Sequence, residues 1–201
     1  MLTWVLLRAA GIGAYLMLWA TVCWGLVGTA SLAGKRMSRA TAISVHQFLS
    51  TAGFVLLGAH IGLLLIDSFM PFSALDVAVP LHSAYERVPV AFGIVAMYAY
   101  AVVIVSSWAR KRIGTKAWRN LHLLAVPSFA LALVHGVFAG TDTGRPWMWW
   151  GYVATGGIAL FLTLVRAFTI GLRPNRAALP ENLPRRRQQP EAAERDKVPA
   201  A

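Results

Sequence analysis

The feature that most constrains this chain is a succession of five long apolar runs, at about residues 4–30, 43–66, 88–109, 118–139 and 147–168. Each is long enough for a helix of ~20 residues to cross the ~30 Å hydrocarbon layer. Within lipid only the chain itself can satisfy its N–H and C=O groups, so every run must be helical. Composition agrees: 57% of the 201 residues are hydrophobic and 13% are charged. A soluble domain carries about 45–50% and about 25%. Those values argue against a water-soluble globule and exclude a disordered whole chain. The expected fold is all-α and integral to the membrane, a bundle of five transmembrane helices. The first run lacks the basic start and short apolar core of a secretory signal, so it reads as a retained span despite Arg8 inside it.

The gaps between runs alternate in charge. The first holds Lys35, Arg36 and Arg39, and the second Asp67, Asp76, Glu86 and Arg87. The third holds Arg110, Lys111, Arg112, Lys116 and Arg119, the fourth only Asp142 and Arg145. Arg166, Arg173 and Arg176 lie at and beyond the end of the fifth run. Basic gaps face the cytoplasm, which places the N-terminus outside and the C-terminus in the cytoplasm of a multi-pass cell-membrane protein. The net charge of +11 is then a topology signal: membrane lipid is the expected partner and nucleic acid is not. Trp108, Trp118, Trp147, Trp149 and Trp150 lie at run ends, where aromatic rings favour the interface.

Residues 68–87, with Pro71, Pro80 and His82, are too long for a simple turn and predict a short helix along the outer surface. Residues 171–201, rich in proline and mixed charge, read as a disordered cytoplasmic tail. The membrane domain is therefore expected over 1–170. Cys23 is the single cysteine. It excludes an internal disulfide, a CxxC redox motif and c-type haem attachment, and reads as a packing residue.

Four of the five histidines fall in two runs: His46 and His60 in the second, His122 and His135 in the fourth. A single histidine in a span is more often a hydrogen-bonded packing residue than a ligand. Two pairs change that balance. The 14-residue interval from His46 to His60 is ~21 Å of helix and returns the side chain to within about 40°. The 13-residue interval from His122 to His135 is ~19.5 Å, so the heights match. Both runs rise from inside to outside, so each level receives one imidazole from each helix. Facing imidazoles can supply both axial ligands of a haem iron, with coordinating nitrogens about 4 Å apart. Two irons would then lie ~20 Å apart. One detail resists: 13 residues turn an ideal helix by about 220°. Pro127 lies between His122 and His135, and a proline kink or π-bulge would redirect the upper half. Gly53, Gly58, Gly62 and Gly136 suit either close packing of a bulky group or helix–helix contact.

These histidine pairs resemble those of the ferric reductase-like transmembrane domain, a superfamily that includes NADPH oxidases, ferric-chelate reductases and the haem-binding membrane subunit of the bacterial methionine sulfoxide reductase system. Ala117-Trp118-Arg119-Asn120-Leu121-His122, then His135, is similar to one of its ligand helices. His46-Gln47 with His60 is similar to the other. The resemblance covers about residues 1–170. It implies that His46, His60, His122 and His135 are the iron ligands of two bis-histidine b-type haems, and that single electrons cross from a cytoplasmic donor to an outer acceptor such as ferric iron, oxygen or a redox partner. Larger members carry a flavin and nicotinamide domain. The roughly 30 residues after the fifth run contain no GxGxxG motif. The expectation is thus the membrane electron-transfer component of an oxidoreductase, supplied by a separate flavoprotein, a quinol or a flavin. Two other readings remain at this stage: an anchor subunit exchanging electrons with quinone, and a non-redox scaffold or transporter with structural histidines.

Further positions have two readings each. Arg8 either snorkels to the interface or pairs with a propionate of the outer haem. Arg119 and the Arg110-Lys111-Arg112 cluster bind anionic lipid, or attract an acidic donor or the inner haem's propionates. Arg166 and Arg173 share those readings. His82 and Arg87 are solvated loop residues or contacts for the outer haem or acceptor. Asp142 and Arg145 read as an exposed turn.

Overall fold

The computed structural model describes residues 2–29 and 38–171. Lys35 and Arg36 of the first basic gap, Arg173 and Arg176, and the tail beyond residue 171 lie outside the described residues. The rest is helical, with no strand among the described residues. The long helices are α1 (Leu2–Thr29), α2 (Arg39–Ile66), α4 (Arg87–Trp108) and α7 (Pro146–Gly171); α3 (Ala74–Ala78) is short, and α5 (Arg110–His122) leads directly into α6 (Ala125–Ala139). Four helices are long and apolar enough to cross a membrane, and α5 with α6 makes a fifth if the bent pair is one span.

The fourth run is a bent pair of helices, with the break close to Pro127, the residue expected to redirect its upper half. The chain turns by 44° between α5 and α6. Leu123 and Leu124 join them with i→i−3 bonds to the carbonyls of Asn120 and Leu121. Pro127 explains the position: it has no N–H to give the carbonyl of Leu123, and its ring clashes with that carbonyl. A second departure from helical geometry falls at Gly114, with φ 82° and ψ 161°. An L side chain is strained there. The basic first turn of α5 can therefore leave the direction of the span. Arg110 lies over Trp118 at 4.2 Å, and Trp118 Nε1 donates to Ser107 Oγ at 3.2 Å. These contacts fold the basic segment back on the end of α4.

Helices α1 and α2, and α4 and α6, pack as antiparallel pairs. Gly11 meets His60 while Gly25 meets His46, so α1 and α2 are antiparallel. Ser128 Oγ donates to the Ala96 carbonyl at 3.0 Å and Tyr85 Oη to the Ala139 carbonyl at 3.2 Å, so α4 and α6 are antiparallel too. Trp19 Nε1 donates to the Thr155 carbonyl at 3.1 Å, and Arg8 lies beside Asp142; α1 and α7 therefore run parallel. Leu18, Val22, Tyr100, Ile104, Phe129 and Ala159 form the packed middle. Tyr15 stacks on Phe129 at 5.6 Å, and Phe54 meets Tyr100 edge-on at 5.8 Å. Large apolar side chains such as Phe48, Val55, Leu160 and Phe161 are exposed around the bundle, as a lipid-facing surface requires.

Several end devices were not visible as apolar runs. Ser38 caps α2 by accepting the Thr41 N–H at 3.0 Å. Asp67, buried at the other end of α2, accepts from Thr3 Oγ1 at 2.8 Å and the Met70 N–H at 3.1 Å. Those donors, Thr3 first, hold its carboxyl below the usual range. The short outer helix expected within 68–87 is α3. Ser73 and Asp76 form its capping box, and Asp76 Oδ1 accepts from His82 Nδ1 at 2.8 Å.

Asp76 gives a pH prediction. The Ser73 hydroxyl, the Ser73 N–H and then His82 hold its carboxyl down to about 2, against an ordinary 3.8. The cap's contribution is therefore complete above the ordinary value and is lost as pH falls through the lowered one. NMR titration of Asp76 should show the depressed midpoint, with protection of the α3 amides persisting down to it. Titration near the ordinary value would contradict this cap.

Candidate functional site

All four spanning histidines turn inward, in two pairs at two levels. At one level the rings of His46 on α2 and His122 at the end of α5 have centroids 6.0 Å apart and are tilted by 55°. Trp118 covers the His122 ring at 5.1 Å. The Nδ1 atoms of both histidines are buried without a hydrogen-bond partner. At the other level His60 on α2 and His135 on α6 line one cavity. The break between α5 and α6 reconciles the 13-residue interval with this arrangement: each half of the span presents its own histidine inward.

The His60–His135 pair is held in a specific way. His60 Nδ1 lies 3.0 Å from the Leu7 carbonyl, and His135 Nδ1 lies 2.9 Å from the Pro89 carbonyl. A carbonyl only accepts, so each Nδ1 carries the proton and each Nε2 keeps a free lone pair. Metal-bound histidines usually have this second bond, which fixes ring and tautomer. Glycine makes the approach feasible. A Cβ on Gly11 would stand 2.8 Å from His60 Nδ1, and one on Gly93 would stand 2.7 Å from His135 Nδ1.

Sequence reading missed Gly11, Gly93, Leu7 and Pro89. One signal was available: Gly11 and Gly25 on α1 repeat the 14-residue interval of His46 and His60 on α2. The glycines it did select divide. Gly53 is buried against Tyr100 and Met17, and Gly136 lies against Tyr152. A Cβ on Gly58 or on Gly62 would meet nothing within 4 Å, so neither supports helix packing.

Other predicted positions fall as follows. Arg8 lines the cavity of His60 and His135, but its guanidinium forks onto Asp142, with Nε donating to Oδ2 at 2.7 Å and Nη2 to Oδ1. Asp142 is 8% exposed, which corrects its reading as an exposed turn with Arg145: a carboxylate here completes the Arg8 fork and closes the α6–α7 connection onto α1. Arg145 itself is exposed. Arg119 is exposed on α5 and has no ion pair with a described carboxylate. Arg87 is exposed, and His82 pairs with Asp76 on the outer segment. Cys23 packs beside the core as expected.

Chemically, each level offers two imidazoles. No group of three or more His, Cys, Asp or Glu side chains able to hold a metal occurs among the described residues. Two nitrogens are too few for a protein-only zinc site, whereas they suit a metal whose remaining ligands come from a macrocycle.

This is a helical multi-pass membrane protein with paired histidines inside its bundle. The family model for the ferric reductase-like transmembrane component matches residues 10–133, more than half of the chain, and the chain belongs to that family. His46, His60 and His122 lie within the match; Arg8 and His135 lie just outside it. No curated protein and no solved structure matches the chain.

The Arg8–Asp142 fork yields a stability prediction. Asp142→Ala leaves a guanidinium without its carboxylate, with the Arg8 side chain 38% exposed. After allowance for that exposure the expected loss is about 1 kcal/mol. Thermal unfolding in detergent should show it, and Arg8→Ala in the same background should add little. Independent, additive losses would show that the fork carries no energy.

Proposed function

We propose that this chain carries single electrons across the cell membrane through two b-type haems, one held by His46 with His122 and the other by His60 with His135. The observation that carries this reading is the pairing itself: each level takes one imidazole from α2 and one from the bent α5–α6 pair. When bound, haem supplies reversible one-electron chemistry. The protein's own residues provide the rest. The Leu7 and Pro89 carbonyls hold Nδ1 protons and free the Nε2 lone pairs of His60 and His135. The aromatic and aliphatic middle of the bundle keeps water out between the levels. The unpartnered Nδ1 atoms of His46 and His122 belong to imidazoles that burial alone does not satisfy.

The charge alternation supports five crossings, with the N-terminus outside and the C-terminus cytoplasmic. His46 and His122 then lie toward the cytoplasm, beside the basic α5, and His60 and His135 toward the outer face, beneath α3. The membrane domain would span 1–170, with 171–201 as a cytoplasmic tail. A separate flavoprotein or quinol would be the donor. Ferric iron, oxygen or a redox partner would be the acceptor. Arg119 and its basic neighbours would serve anionic lipid, with a second role toward an acidic donor or the inner propionates. Arg8, already forked onto Asp142, would shape the outer cavity.

The test is a visible spectrum of dithionite-reduced protein expressed with ample haem. About two haems per chain are expected, with a bis-imidazole low-spin spectrum. His60→Ala should lose about one of them. A chain without a Soret band, or one whose haem content is unchanged in His60→Ala, would overturn the proposal.

A further inference from the structure

The outer histidines share a local device. In a helix each Cβ tilts toward the N-terminus, so a side chain at i+4 covers the carbonyl of residue i. Glycine at i+4 uncovers that carbonyl. Leu7 with Gly11 presents such a carbonyl on α1 to His60, and Pro89 with Gly93 presents one on α4 to His135.

Fourteen residues further along each helix the device recurs in altered form. On α1 it is Thr21 with Gly25. The Thr21 carbonyl faces His46, and a Cβ on Gly25 would lie 3.4 Å from His46 Cε1 and 3.8 Å from its Nδ1, an ordinary contact. The Thr21 carbonyl is close enough to act on His46 as a backbone partner, but no well-aligned hydrogen bond reaches Nδ1, in contrast to His60. On α4 it is Val103 with Ser107. There the i+4 residue has a side chain, whose Oγ donates to the Val103 carbonyl at 2.7 Å and accepts from Trp118. His122 Nδ1 has no partner.

We propose that Gly11 and Gly93 are positioning residues that lock His60 and His135 in the Nδ1–H tautomer with Nε2 free, and that His46 and His122, whose Nδ1 atoms lack such a bond, are held less firmly in one tautomer. The two imidazole pairs are then unequal by construction. The tautomer part stands on these hydrogen bonds alone; its consequence for cofactor retention rests on the haem reading above.

The test uses the full chain in detergent, labelled with 15N-histidine and prepared without haem. His60 and His135, assigned through His60→Gln and His135→Gln, should show slowly exchanging Nδ1–H signals. His82, bonded to Asp76 at the surface, should show a fast-exchanging one, and His46 and His122 none that is protected. An Nε2–H tautomer at His60 or His135, or equal protection at all four spanning histidines, would overturn the proposal. In haem-loaded protein, Gly11→Ala and Gly93→Ala should each weaken retention of one haem by about 10- to 100-fold, with Gly58→Ala, whose surroundings are open, near wild type. Unchanged retention in both outer variants would overturn it as well. If Gly11→Ala fails to fold, the tautomers of the unsubstituted chain still decide. A chain that binds no haem but shows the expected tautomers would sink the functional reading and leave the positioning device standing.

Discussion

An imidazole inside a hydrocarbon layer needs a partner for its N–H, since an unsatisfied polar group there costs several kcal/mol. At His60 and His135 the bundle's construction answers that requirement. α1 comes close to α2 because Gly11 and Gly13 lack side chains facing it, and the close approach brings the Leu7 carbonyl to His60. α4 approaches α6 in the same manner, with Gly93 beside His135. α1 and α4 thus act as supports, while α2 and the α5–α6 pair carry the imidazoles. α2 has only Gly53 buried along its length. A helix so open to lipid keeps two imidazoles turned inward, so its orientation serves the site more than the core.

The break in the fourth span is the second structural commitment. A straight helix would point His122 and His135 to different sides. Pro127 removes one backbone donor and displaces the Leu123 carbonyl, and the chain bends by 44°. The bend gives each half its own orientation. His122 meets His46 under Trp118, while His135 enters the cavity it shares with His60, beside Gly93. Gly114, with its left-handed φ, separates the basic turn that rests on the end of α4 from the part of α5 that carries Trp118 and His122.

Much of this was legible from residue order. Apolar runs define membrane helices because lipid imposes one strong rule on backbone polarity, and the five runs correspond to α1, α2, α4, the α5–α6 pair and α7. The histidines stood out because ionisable groups are scarce in such runs. Contacts between helices were not legible. Gly11 and Gly93 look like any small residues in a span until the carbonyls four residues earlier are seen to face imidazoles. Asp142 looked like a loop residue because its partner, Arg8, is 134 positions away. Gly58 and Gly62 looked like packing residues, and their surroundings are open. Periodicity reports which face of a helix is apolar; it does not report which neighbour that face meets.

The central claim is that the histidines act in two fixed couples, each spanning two helices. Low-temperature electron paramagnetic resonance of the oxidised protein tests it most directly, applied to four single His→Ala variants. The account requires the His60 and His135 variants to lose one and the same low-spin ferric signal, and the His46 and His122 variants to lose the other. Signals that group the histidines along one helix, His46 with His60 or His122 with His135, would contradict it.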